Sequence, residues 1–140
     1  MAAVNLNTVR QTIEARLATE LANSPAIPVV FNNMPFDSSA QDSFVQCSTS
    51  FGSGSYLTMG GSANSTNSVV GLVLLNIFTA EGIGAGANFT IGKRLRDLYN
   101  NITVSNVIFD PPVGPEVFSQ STEGKFQTQI RITFEIYGDL

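Results

Sequence analysis

From Leu6 onward, Leu6, Val9, Ile13, Leu17 and Leu21 return every three or four positions, while Arg10, Glu14, Arg16 and Glu20 fall largely off that stripe. This is the period of one apolar helix face. Asn5 or Asn7 is placed to cap the helix, and Asn23, Ser24 and Pro25 stop it. Arg10–Glu14 and Arg16–Glu20 are spaced as i,i+4 pairs that add a little surface stabilisation.

The period then changes. Residues 28–31 are short and extended, and residues 32–36 turn, because Met34 precedes a proline and so avoids the helical region. Residues 43–51 alternate, with Val45, Cys47, Thr49 and Phe51 on one side and Gln46, Ser48 and Ser50 on the other. Gly52 and Gly54 follow, so 43–51 and 55–59 are expected to form a protruding hairpin. Residues 60–67 hold no apolar side chain larger than Ala63 and read as a loop. Residues 68–79, SVVGLVLLNIFT, are apolar at odd and even positions alike, as in a strand covered on both sides. One face can lie on helices; the other needs a second cover, such as another subunit.

A second helix is expected over 89–101, with Ile91, Leu95 and Leu98 as its stripe and Phe89 and Tyr99 at the margins. Residues 102–109 read as a strand. Residues 110–115, DPPVGP, read as a stiff loop that cannot continue a ladder. Residues 125–137 alternate throughout, with Phe126, Thr128, Ile130, Ile132, Phe134 and Ile136 on one face. The order is helix, strands, helix, strands, without internal repeat. A single domain over residues 1–140 fits the length.

Composition narrows the chemistry. The chain has one cysteine, Cys47, and no histidine, which excludes an internal disulfide, a zinc site of the usual Cys/His kind and any Ser–His–Asp mechanism. No catalytic, metal or cofactor-binding residues are expected. Only 13% of residues are charged and 43% are hydrophobic, so part of the surface is expected to be covered by a partner. A net charge of −4 argues against tight binding to a nucleic-acid backbone. Lys93, Arg94 and Arg96, beside Asp97, read as a solvated helix face. No apolar run reaches the roughly 20 residues that span a bilayer. The first residues lack a basic and an apolar signal region, so no export is expected, and the N-x-S/T triplets at Asn64, Asn88 and Asn101 read as accidents of composition.

Residues 78–93, FTAEGIGAGANFTIGK, imitate a nucleotide loop. Gly82, Gly84 and Ala87 have the dinucleotide spacing, but the following strand starts directly after Asn101, leaving no parallel crossover. The phosphate-loop pattern fails at Ala87 and at Arg94, where a magnesium-binding hydroxyl would stand. A hinge between strand and helix is the better reading, with Asn88 as helix cap.

The opening TVRQTIEARLATEL helix, IPVVFNNMPF, the strand VVGLVLLNIFTAEGIGAGANF running into GKRLRDLYNN, and the final FQTQIRITFEIYG together resemble the tail-terminator proteins of long-tailed bacteriophages of the lambda type. The resemblance covers most of the chain in order. It implies an α+β fold: a mostly antiparallel sheet of about five strands packed by two helices, with a protruding hairpin. It also implies a homo-oligomeric, sixfold ring in the virion neck, assembled in the host cytoplasm. Such a ring caps the tail-tube protein, ends its polymerisation and offers a surface to a head-completion protein, or to a sheath in a contractile tail. DNA passes through its bore without specific binding.

Tyr56, Leu57 and Met59 in the hairpin, and Val113 and Phe118 around the proline loop, are apolar within polar stretches and are the candidate assembly contacts. The alternatives are another neck or tail-tube component and, from a different class, a small nucleotide-binding protein.

Overall fold

A computed structural model of the chain describes residues 5–22, 26–31, 43–56, 67–80, 82, 85–104, 107–117 and 125–138. Its elements are α1 (Leu6–Leu21), β1 (Val29–Val30), β2 (Phe44–Tyr56), β3 (Asn67–Ala80), α2 (Gly86–Tyr99), β4 (Thr103–Val104), β5 (Val107–Phe109), β6 (Val113–Val117) and β7 (Lys125–Gly138). The strands form one sheet in the order β1-β2-β3-β7-β5-β4, with β6 also paired to β7. Only β1–β2 is parallel. The class is the expected α+β, a mostly antiparallel sheet packed by two helices. The sheet has seven strands because β1 and β4, of two residues each, and β5, of three, are too short to show a period.

α1 starts where its cap predicts. The Asn5 side chain accepts from the backbone N–H groups of Asn7 and Thr8, satisfying donors that the first turn leaves open. Its stripe of Val9, Ile13, Leu17 and Leu21 is buried. The odd positions Val73, Leu75 and Ile77 of β3 face that stripe's core together with Val45 and Cys47 of β2 and Ile130, Ile132, Phe134 and Ile136 of β7. β3 and β7 pair in unbroken register from Asn67↔Gly138 to Ala80↔Lys125. That length lets every second side chain of two long strands enter the same core.

Gly71 marks a close approach at the middle of this ladder. A Cβ there would lie 2.1 Å from the Phe134 ring, so only glycine admits that ring.

Several sequence expectations are corrected. Residues 43–51 and 55–59 do not form a hairpin with each other. β2 runs on through Gly52 and Gly54 as one strand and pairs with β3, and a register shift between Phe51 and Gly54 takes up one extra residue. The glycines make a bulge there instead of a turn. Residues 102–109 are not one strand. β4 and β5 fold back on each other, Val104 opposite Val107, and Ser105 and Asn106 between the arms are turn-forming types.

Residues 110–115 do not end the ladder. The Asp110 N–H donates to the Thr133 carbonyl at 2.9 Å, and β6 then pairs with β7 from Val113 to Val117 across another shift. Prolines are tolerated because this is an edge, where an N–H directed away from β7 has no ladder to join. Gly114, at φ +110°, is needed here, since a Cβ would sit 2.5 Å from the Gln129 carbonyl.

The Arg16–Glu20 pair does not form either. Arg16 Nε donates to the Leu98 carbonyl, and Glu20 takes Arg94 of α2 at 2.8 Å. Arg10–Glu14 forms as expected, at 2.8 Å.

Candidate functional site

α2 is fixed to the sheet by a polar side chain. Asn88 does not cap the helix: Ala85 occupies the cap position and makes no side-chain bond. Asn88 is wholly buried. Its amide nitrogen lies within bonding distance of the carbonyls of Ile77 (3.0 Å) and Phe126 (3.2 Å) and of the Thr79 hydroxyl (3.3 Å). Its oxygen accepts from the Thr128 hydroxyl. One amide thus ties α2 to both long strands. A buried amide without these partners would be costly, so the set locks the helix position.

The helix is rotated from its expected orientation. Tyr99 lies in the core, its hydroxyl donating to the Ile13 carbonyl at 2.8 Å, while Phe89 faces outward, 41% exposed. Gly92 brings the helix against Pro115, to which a Cβ would approach within 3.0 Å.

Both described helices therefore cover one face of the sheet, and neither of them lies on the other face. Alternation places Val70, Leu72 and Leu74 of β3 on that second face. Val70 is 42% exposed, and Leu72 and Leu74 are half-buried. Register puts Gln46, Ser48 and Ser50 of β2 on one side of them and Gln129, Arg131, Thr133 and Glu135 of β7 on the other. The polar borders are held in place. Asn76 Oδ1 accepts from Gln127 (3.1 Å) and Gln129 (2.9 Å), Arg131 pairs with Glu116 at 2.5 Å, and Thr133 donates to Asp110 at 2.7 Å. At the far end of the same face Phe44 and Phe78 stack, ring centroids 4.6 Å apart, and are buried with Val30. The result is an apolar stripe in a polar, hydrogen-bonded frame.

The two edges of the sheet differ. Beside β1, Ala18, Leu21, Ala22, Ile27, Pro28 and Val29 line a groove of about 540 Å³, with no charged side chain among the described residues. At the opposite edge Val113 and Val117 of β6 project, 52% and 56% exposed, with the Phe89 ring on neighbouring α2. A cleft of about 490 Å³ lies between α2 and β6. Its cations are engaged: Lys93 pairs with Asp97 at 3.0 Å, and Arg96 donates to the Gly114 carbonyl at 2.6 Å.

Of the candidate contacts, Val113 is exposed. Tyr56 ends β2 opposite Asn67, and its side chain lies outside the described residues, as do Leu57, Met59 and Phe118. Sequence reasoning missed Val117, Val70, Ile108 and Phe89. Val117 lies just beyond the stretch 110–115 read as a loop, where an apolar residue beside Glu116 carries no period.

The glycine segment leads from β3 into α2 with Gly82 at φ +89°. Both neighbours of β3, β2 and β7, run antiparallel to it, so the parallel strand–helix–strand unit of a dinucleotide site is not built here.

Burial governs the two titratable groups of the core. The Cys47 thiol is pushed up to about 12 by desolvation, with the Glu14 carboxylate adding to it. The Tyr99 hydroxyl is also raised, first by desolvation and then by Cys47. Both stay protonated at neutral pH, so Cys47 is not an activated nucleophile. Among the described residues no cluster of three or more Cys, Asp or Glu side chains could hold a metal. No helix among them is long and apolar enough to cross a membrane.

No protein-family model and no curated protein matches the chain. A solved structure shares the fold: at 14% identity it superposes over 96% of each chain with a TM-score of 0.71.

Proposed function

We propose that this protein is a structural component of a long-tailed phage virion, a tail terminator. Its copies form a ring, sixfold by the family resemblance, that caps the tail tube, stops its growth and presents a docking surface to the neck. The observation that carries this reading is the open face of the sheet, where Val70, Leu72 and Leu74 are apolar and neither described helix covers them. A sheet with one dry and one open apolar face has a reason to associate. Two further facts support it. The mostly antiparallel sheet with two helices is the architecture the resemblance implies, and the described titratable groups of the core are shifted toward inertness and not toward catalysis.

Light scattering and negative-stain imaging test it. Purified protein is expected to form rings of one size that bind the ends of tail tubes. Fibres growing from the protein alone would indicate a tube subunit instead. A monomer at high concentration, with no rings on tube ends, overturns the proposal. Calorimetric titration with ATP or NAD is expected to show no saturable binding; binding that is lost in Gly84→Val would favour the nucleotide-binding alternative.

A further inference from the structure

Resting on that ring reading, we propose that the subunits join head to tail, edge to edge, and that the groove beside β1 of one copy receives the exposed valines of β6 from the next. The two surfaces lie on opposite edges of one sheet. β1 and β6 are separated by β2, β3 and β7, four strand spacings or about 19 Å. One surface is concave and apolar, with about 540 Å³ of space walled by Ala18, Leu21, Ala22, Ile27, Pro28 and Val29. The other projects Val113 and Val117, 52% and 56% exposed, with Phe89 beside them.

Charge fits the same pairing. Among the described residues the groove has no ionic lining. Charged groups on this side are engaged within the subunit: Glu116 with Arg131 and Lys93 with Asp97 as ion pairs, and Arg96 as a donor to the Gly114 carbonyl. When this edge meets a groove without described charges, both ion pairs stay intact and Arg96 keeps its carbonyl partner, so the contact strands no carboxylate of these pairs.

Like edges do not suit one another. Two β6 edges cannot zip into a shared ladder, because Pro115 offers no N–H and the register breaks between Val113 and Glu116. Two grooves facing each other leave both unfilled. The contact is therefore heterologous, the kind that closes into a ring when its rotation divides the circle and that has no twofold form. It also leaves the open face of the sheet free for the tube.

The experiment uses one blocked edge at a time. Val117→Glu spoils the projecting edge, and Ala22→Glu spoils the groove; both sites are exposed, and Val113→Glu replaces Val117→Glu should that variant fail to melt like the parent. Each variant alone is expected to run as a monomer by size exclusion with light scattering, its association weakened roughly 100-fold or more by the unpaired charge at the contact. An equimolar mixture is expected to form a one-to-one dimer and stop, because each copy keeps one intact edge and the two intact edges are complementary. Variants that still form wild-type rings, one variant that assembles while the other does not, or a mixture that stays monomeric each overturn the head-to-tail contact while leaving a ring-forming protein. A wild-type chain that is itself monomeric overturns the ring reading instead.

Discussion

On one side of β3, Val73, Leu75 and Ile77 are wholly buried beneath two helices; on the other, Val70, Leu72 and Leu74 are just as apolar and still meet solvent. The strand, its composition and its neighbours in the sheet are the same for both sets. The helices make the difference. Each brings one stripe, and both stripes are spent on the same face. Apolar content thus says that a strand face will be covered, but the cover can come from the same chain or from another one. The comparison also separates two kinds of polar group. On the covered face Asn88, Thr79 and Thr128 are buried, and Asn88 bonds to both threonines. On the open face Gln127, Gln129 and Thr133 hold the borders of a surface that remains partly wet.

If this division is right, damage to the covered face shows first as lost stability. The largest effect is expected at Phe134, fully buried against Gly71, Phe51 and Phe109. Phe134→Ala should cost about 3–5 kcal/mol in urea unfolding, because the hole cannot be refilled from a rigid ladder. A loss under about 1 kcal/mol would mean that the core is not packed as described. Next is Asn88→Ala, expected to cost about 2–4 kcal/mol, since it leaves the Thr128 hydroxyl and the Ile77 and Phe126 carbonyls without this partner in a dry site. Thr133→Ala on the open face removes one exposed bond and should cost under about 0.5 kcal/mol in the same assay.

Gly71→Ala comes third, at about 1–3 kcal/mol, because the new methyl must displace the Phe134 ring. It should be partly rescued by Phe134→Leu, and simple additivity of the two changes would show that the close approach is not the cause.

Alkali probes the covered face without mutation. The Cys47 thiol has its pKa raised in the folded protein to about 12 from an ordinary 9.0, and that of Tyr99 is also raised above its ordinary 10.0. For groups shifted upward, the neutral form favoured by the fold gives stability that is complete below the unfolded values and is lost as pH climbs above them. Stability is therefore expected to be nearly level from pH 7 to 8.5 and to fall by about 2 kcal/mol by pH 10, measured by denaturant midpoints. Cys47→Ser should flatten the first part of that fall. A thiol reagent at pH 8 should label Cys47 only under unfolding conditions.

The covered face was largely legible in the sequence, and the open face only in part. The α1 stripe, the alternation of β7 and the two-sided apolarity of β3 are long patterns, each repeated enough to fix its element. What failed was short or depended on distant partners. Gly52 and Gly54 have the same local chemistry in a turn as in a bulge, and only the pairing of β2 with β3 decides between them. Asn88 looks like a cap because it stands at a helix start. Its burial depends on Thr128, forty residues away, which sequence spacing does not reveal. Arg16 and Glu20 are spaced to pair, but α2 supplies better partners in the Leu98 carbonyl and Arg94. Val117 sits among prolines and glycines, where periodicity is silent, and it becomes visible as a contact only once β6 is an edge.

The smallest effect on stability, and the sharpest test of the open face, is expected from Val70→Lys. The position is 42% exposed and stands opposite Glu135 on β7. A lysine there trades a partly wet methyl pair for a cross-strand ion pair, two terms of similar small size, so the melting midpoint should move by no more than about 0.5 kcal/mol in either direction. Ring formation should survive too, because the edges carrying Val117 and the groove beside β1 are untouched. On the proposed tail-terminator reading, binding to the ends of tail tubes should fall, because a charge now stands in the stripe beside Leu72 and Leu74. A variant with normal stability, normal rings and normal capping would show that the open face of the sheet is not where the tube docks.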